Sequence, residues 1–138
     1  MQTTAVVVDD SLDMRDEMAG ILTRMKIKLA AVCEGGSQGL AAIAKYKPTI
    51  ATIDIQLPGI NGIDLVRKAR ALSPDTIYVM CSGTVMKTVR DDATSAGAVA
   101  FIRKPYDQIL AARELTGILT RTPPRNPSNT PCAGDLGL

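Results

Sequence analysis

The stretch Ala5-Val6-Val7-Val8-Asp9-Asp10-Ser11 sets the fold class of this chain. Four apolar residues, three of them β-branched, read as a short strand buried on both faces. The strand stops at two acids, and either Asp10 or Ser11 can cap a helix there. Beyond the cap, Met14, Met18, Ile21, Leu22 and Met25 recur on one face of a helix running from Leu12 to Met25. A buried strand that turns through acids straight into an amphipathic helix is the first half of a βαβ unit.

The same alternation continues downstream. Ile27 to Val32 reads as a second strand, and Gly35-Gly36-Ser37 turns into a helix carrying Leu40, Ile43 and Ala44 that Lys47-Pro48 ends. Thr49 to Ile53 is a third strand, and it too stops at an acid, Asp54. The turn residues of Leu57-Pro58-Gly59-Ile60-Asn61-Gly62 predict a loop. A helix through Leu65, Val66 and Ala69 to about Leu72 follows, closed by Ser73-Pro74. Thr76 to Cys81 is a fourth strand, halted by Ser82-Gly83. The next helix spans Lys87 to Ala96 with Gly97 as its cap, and Val99 to Ile102 is the fifth strand. After Lys104-Pro105 a last helix runs from Asp107 to Leu119, its end weakened by Thr116-Gly117.

Strands and helices alternating at this spacing predict an α/β fold: a doubly wound five-stranded parallel sheet with helices on both faces. A closed eight-stranded barrel needs a much longer chain. Residues 1–120 form one domain on this reading. Residues 121–138 hold four of the eight prolines without periodicity and read as a disordered Pro-rich tail or linker.

Composition narrows the chemistry. The chain has 138 residues, room for a single sizeable core. Hydrophobic residues are 46% of the chain and aromatics only 3% of it, so that core is built from Val, Ile, Leu, Ala and Met, with the methionines as packing. A net charge of +2 without basic runs is too small to argue for nucleic-acid or membrane binding, and neither is expected of this chain. There is no apolar stretch of spanning length and no signal peptide. Cys33, Cys81 and Cys132 have no metal-ligand spacing and read as two structured thiols and one tail thiol of a reduced, cytoplasmic protein. The chain contains no histidine, which removes Ser-His-Asp and Cys-His catalysis, histidine metal sites and a self-contained phosphohistidine relay.

In open parallel sheets ligands bind outside the carboxyl ends of the strands, where strand order reverses. The residues that end the strands here are Asp9 and Asp10, Asp54, Ser82 and Lys104, so every chemically useful side chain meets at one sheet edge. Two carboxylates about 4 Å apart repel by roughly 4 kcal/mol at an effective dielectric near 20. Lys104 offsets part of that charge, and a divalent cation would offset the rest. Only hard oxygen ligands are on offer, which favours Mg²⁺ over Zn²⁺. A carboxylate beside such a cation can attack an activated phosphorus, with Ser82 and Lys104 contacting the phosphoryl oxygens.

This constellation resembles the receiver domain of bacterial two-component response regulators, in the manner of the chemotaxis regulators. The matching residues are Asp9-Asp10, Asp54, Leu57-Pro58-Gly59 with Asn61-Gly62, Ser82-Gly83, Ala96-Gly97-Ala98 and Phe101-Ile102-Arg103-Lys104-Pro105. The resemblance runs from Thr4 to Leu119. It implies a flavodoxin-like strand order 2-1-3-4-5 and Mg²⁺-dependent phosphoryl transfer, with Mn²⁺ as a substitute ion, from a sensor histidine kinase or phosphotransfer protein. It makes Asp54 the phosphoacceptor, Asp10 a direct metal ligand, Asp9 a metal-holding acid and the Gln56 backbone carbonyl the remaining protein ligand. Lys104 contacts the phosphoryl group, Ser82 moves to bond it, Phe101 is the switch aromatic, and Lys104-Pro105 is cis. The implied protein is a signalling domain that assists its own phosphorylation and dephosphorylation, without turnover of an outside substrate. Its partners are a downstream effector or output domain, or a second copy through the face of the fourth helix, fifth strand and fifth helix.

The resemblance also implies that Gln56 and Thr84 flank the path by which water reaches an aspartyl phosphate, and so should tune its lifetime. An aspartyl-phosphate phosphatase or phosphotransferase is the competing enzyme reading. It requires an acid two residues past the nucleophile, where Gln56 stands and cannot donate a proton. A pseudo-receiver acting only as a binding module is the third reading, disfavoured because the acids, hydroxyl and lysine are all present.

Overall fold

The computed structural model describes residues 2–83 and 86–121. Thr84, Cys132 and the remainder of the tail beyond Arg121 lie outside the described residues. Five strands alternate with five helices: β1 (Thr4–Val8), α1 (Leu12–Arg24), β2 (Lys28–Cys33), α2 (Gly36–Tyr46), β3 (Ile50–Asp54), α3 (Gly62–Leu72), β4 (Ile77–Ser82), α4 (Lys87–Ala96), β5 (Ala98–Arg103) and α5 (Gln108–Arg121). The strands form one parallel sheet in the order β2-β1-β3-β4-β5. The order reverses between β1 and β3, and their carboxyl ends are level, with Val8 opposite Ile53.

Strand alternation divides the core into two layers. Ala5, Val7, Ile50, Ile77, Val79, Cys81 and Ile102 face α1 and α5, where Met18, Ile21, Leu22, Leu115 and Ile118 meet them. Val6, Val8, Ala51, Ile53, Tyr78, Met80 and Ala98 face α2, α3 and α4, which contribute Ile43, Leu65, Val66, Ala69 and Ala93. The central strands are therefore apolar on both sides, the signature of a sheet covered by helices on both faces. Met14 and Met25 pack at the edge of the α1 layer, as core filling.

Helix ends follow local chemistry. Ser11 caps α1 through its hydroxyl, which accepts the Met14 N–H at 3.4 Å, and Asn61 caps α3 in the same way toward Asp64 at 2.9 Å. Lys47 ends α2 in a left-handed conformation at φ 44°, and Gly97 ends α4 at φ 126°. Three details depart from the sequence reading. On α2 the buried positions are Gly36, Gly39, Ala42 and Ile43, with Ala44 only half-buried. Ser82 belongs to β4 itself, in register with Arg103. Helix α5 continues through Thr116-Gly117 to Arg121, anchored by buried Leu115 and Ile118, while the Thr116 and Thr120 hydroxyls donate back to the Ala112 and Thr116 carbonyls. Among the described residues no helix is long and apolar enough to cross a membrane.

Candidate functional site

The sheet edge where β1 and β3 end gathers the acids. Asp9 is 2% exposed and Asp54 7%, whereas Asp10 opens to solvent. One oxygen from each of the three lies within 4.8 Å of the others. Loop backbone sets their orientation. Asp9 Oδ1 accepts the Ser11 N–H at 2.9 Å, and Asp54 Oδ1 accepts the Gln56 N–H at 3.1 Å. Each acid thus has its second oxygen left for Lys104, whose Nζ stands 2.7 Å from Asp9 Oδ2 and 3.2 Å from Asp54 Oδ2.

The lysine is held from behind as well. Its backbone N–H donates to the Ser82 carbonyl at 3.0 Å, and its peptide bond to Pro105 is cis. Ser82 is buried at the end of β4, one residue beyond Cys81, which faces Asp54 across the strand pair. Gln56 is exposed and reaches the site through its amide. Phe101 sits half-buried in β5 opposite Met80, on the α4 side of the sheet, with the Arg90 guanidinium 5.3 Å from its ring centre. Asp9, Asp10, Asp54 and Lys104 therefore form one cluster, Ser82 lies on the adjoining strand end, and Phe101 is set off toward α4.

Burial pushes the Asp54 carboxyl up to about 6; the Lys104 charge and the Gln56 N–H pull it down, and the Asp9 charge adds to the rise. Burial would lower the Lys104 ammonium, but its hydrogen bond to Asp9 and the charges of both acids outweigh this and hold it above the ordinary lysine value. Three carboxyl groups gather around one ammonium, with the Arg15 guanidinium beyond it at the Asp9 carbonyl, so acids outnumber bases here. The donors are hard oxygens, two buried and one open to water, which fits a divalent cation such as Mg²⁺ that keeps part of its water shell.

Two supporting residues, Arg15 and Tyr106, escape the sequence reading, and a third, Gly62, was read only as part of a turn. Arg15 donates to the Asp9 carbonyl at 3.0 Å and ties α1 to the end of β1. Tyr106 is buried just past Pro105 and shares a hydrogen bond with Cys81; burial is the main reason both lie above their usual values, the thiol at about 12. Gly62 donates its N–H to the Ile55 carbonyl at 2.7 Å, and a Cβ there would collide with the Asp54 carbonyl oxygen. The Lys-Pro-Tyr sequence was the available signal for Tyr106. Arg15 carries no local signal, because its partner is a backbone oxygen.

Comparison with known proteins agrees with this geometry. The model of the response regulator receiver domain family matches residues 5–114. The chemotaxis protein CheY of Thermotoga maritima is 30% identical over 106 residues, which are 77% of this chain and 88% of that protein. A protein-glutamate methylesterase/protein-glutamine glutaminase of Haloarcula marismortui is 31% identical over 106 residues, 76% of this chain but 29% of that longer protein. The CheY-like receiver domain protein from Methanospirillum hungatei superposes with a TM-score of 0.81 at 25% identity, covering 88% of this chain and 97% of that one. Family match, strand order and an acid cluster bridged by a lysine at the strand ends all agree: this chain belongs to the response regulator receiver domain family of two-component signalling.

Proposed function

We propose that Asp54 is the phosphoacceptor of this receiver domain and that Asp9, Asp10, Lys104, Ser82 and Phe101 serve its phosphorylation and readout. One observation carries the reading: Lys104 Nζ bridges the two buried carboxylates, Asp9 and Asp54, at the point where strand order reverses. Receiver domains use Mg²⁺. Here Asp9, Asp10, Asp54 and the Gln56 backbone carbonyl would hold it, with Mn²⁺ as a substitute, and the ion would neutralise charge on the phosphoryl oxygens.

Above pH 6 Asp54 is a carboxylate, oriented by the Gln56 N–H. One of its oxygens forms a bond to the phosphorus of a phosphohistidine on a sensor histidine kinase or phosphotransfer protein. The P–N bond breaks and the imidazole leaves with the electron pair. Lys104, already paired with Asp54 Oδ2, transfers its charge-assisted contact to the new phosphoryl oxygens. Ser82 adds a hydroxyl donor, and Phe101 follows toward the space it vacates. The face of α4, β5 and α5 then changes. Val99 at 39% and Leu110 at 53% exposure make that face suited to an effector, an output domain or a second copy. The protein acts in the cytoplasm, with residues 1–120 as its receiver unit. Gln56, lacking a transferable proton, argues against a phosphatase that turns over outside substrates.

The test is intact mass after incubation with Mg²⁺ and acetyl phosphate. Wild type gains one phosphoryl group and Asp54→Ala gains none. A gain that survives in Asp54→Ala, or no gain in wild type, overturns the assignment.

A further inference from the structure

We infer that Arg90 is a positioning residue that holds the Phe101 ring in its resting place and so sets the bias of the switch. The inference rests on Phe101 being the switch aromatic. Arg90 is exposed on α4, and its guanidinium carbon is 5.3 Å from the Phe101 ring centre, within cation–π range. The strand register shows what this contact opposes. Phe101 lies opposite Met80, and Ser82 follows two residues later on β4, so ring and hydroxyl share a sheet face as diagonal neighbours. On this inference a ring that turns toward Ser82 leaves the guanidinium, and a contact made in one of two states shifts their ratio.

A phenylalanine has no hydroxyl with which to fix its rotamer. Among the described residues, what holds the ring is apolar packing against the α4 layer and the guanidinium near it. Arg90 is not part of the acid cluster, and its backbone carbonyl accepts the Thr94 hydroxyl at 2.9 Å. At an exposed site the contact is worth about a two- to fivefold change in the resting-to-turned ratio.

The chain contains a single phenylalanine, so ring-¹³C phenylalanine gives one aromatic spin system, that of Phe101. Its NMR signals would be recorded for wild type, Arg90→Gln and Arg90→Lys, each before and after Mg²⁺ with beryllofluoride. Beryllofluoride should move the wild-type signals. Arg90→Gln should start part-way toward that end point, with the turned fraction raised about two- to fivefold, and Arg90→Lys should recover most of the wild-type position. Arg90→Gln signals that coincide with wild type, while beryllofluoride still moves both, would overturn the role of Arg90 alone. Wild-type signals indifferent to beryllofluoride would overturn the switch reading of Phe101 and this inference with it.

Discussion

Replacing Asp54 by asparagine should stabilise the fold at neutral pH while abolishing phosphorylation. Burial raises the Asp54 carboxyl from 3.8 to about 6 despite Lys104 beside it, so the folded protein holds that proton where the unfolded chain has lost it. Below pH 3.8 both states are protonated and the carboxyl costs nothing. As pH rises toward 6 the unfolded state ionises first, and wild-type stability falls; above 6 the full cost of the buried charge is present. A displacement of that size corresponds to roughly 3 kcal/mol. Water entering beside exposed Asp10 screens the carboxylate and reduces this to about 1–2 kcal/mol. Urea unfolding of both proteins in EDTA, from pH 4 to pH 8, reads the difference directly. Asp54→Asn should match wild type near pH 4, gain about 1–2 kcal/mol by pH 7 and hold that gain above it. A variant less stable than wild type at pH 7.5, or a difference independent of pH, would refute the account of the site's electrostatics.

Lys104→Met leaves two buried acids without their cation and should cost about 2–4 kcal/mol at pH 7.5, partly restored by Mg²⁺, as urea midpoints will show. Gly62→Ala forces a Cβ against the Asp54 carbonyl and to within 2.8 Å of the Ile55 Cα. It should cost about 1–3 kcal/mol in chemical unfolding and slow phosphoryl uptake from acetyl phosphate, because the backbone of Asp54 must shift. Thr52 Oγ1 is buried among Val7 and Val79 without a hydrogen-bond partner, so Thr52→Val should raise stability by about 1 kcal/mol at an unchanged urea m-value.

The parallel sheet and its strand-end chemistry were legible because both rest on local signals. Val6, Val7 and Val8 are apolar without alternation, and the acids, Ser82 and Lys104 each stop a strand, so topology alone brings them to one edge. Residue-level periodicity was less informative on α2. There Gly39 lies against Val8 and Ala42 replaces Ala44 as the buried alanine, because close helix-sheet approach selects small side chains that a hydrophobicity pattern underrates. Helix α5 outlasts Thr116-Gly117 because Leu115 and Ile118 bury their side chains, and tertiary packing outweighs propensity. Arg15 was invisible because its partner is a backbone carbonyl, and Arg90 because its partner is a ring on β5, a contact that exists only once α4 packs on the sheet.

The central claim is that Asp54 itself carries the phosphoryl group, and reductive trapping tests it most directly. After reaction with acetyl phosphate and Mg²⁺, borohydride converts an aspartyl phosphate to homoserine, and fragment masses locate the change. Homoserine at position 54, absent when Mg²⁺ is withheld, is the predicted result. Homoserine at Asp9, Asp10 or elsewhere with Asp54 intact would contradict the account.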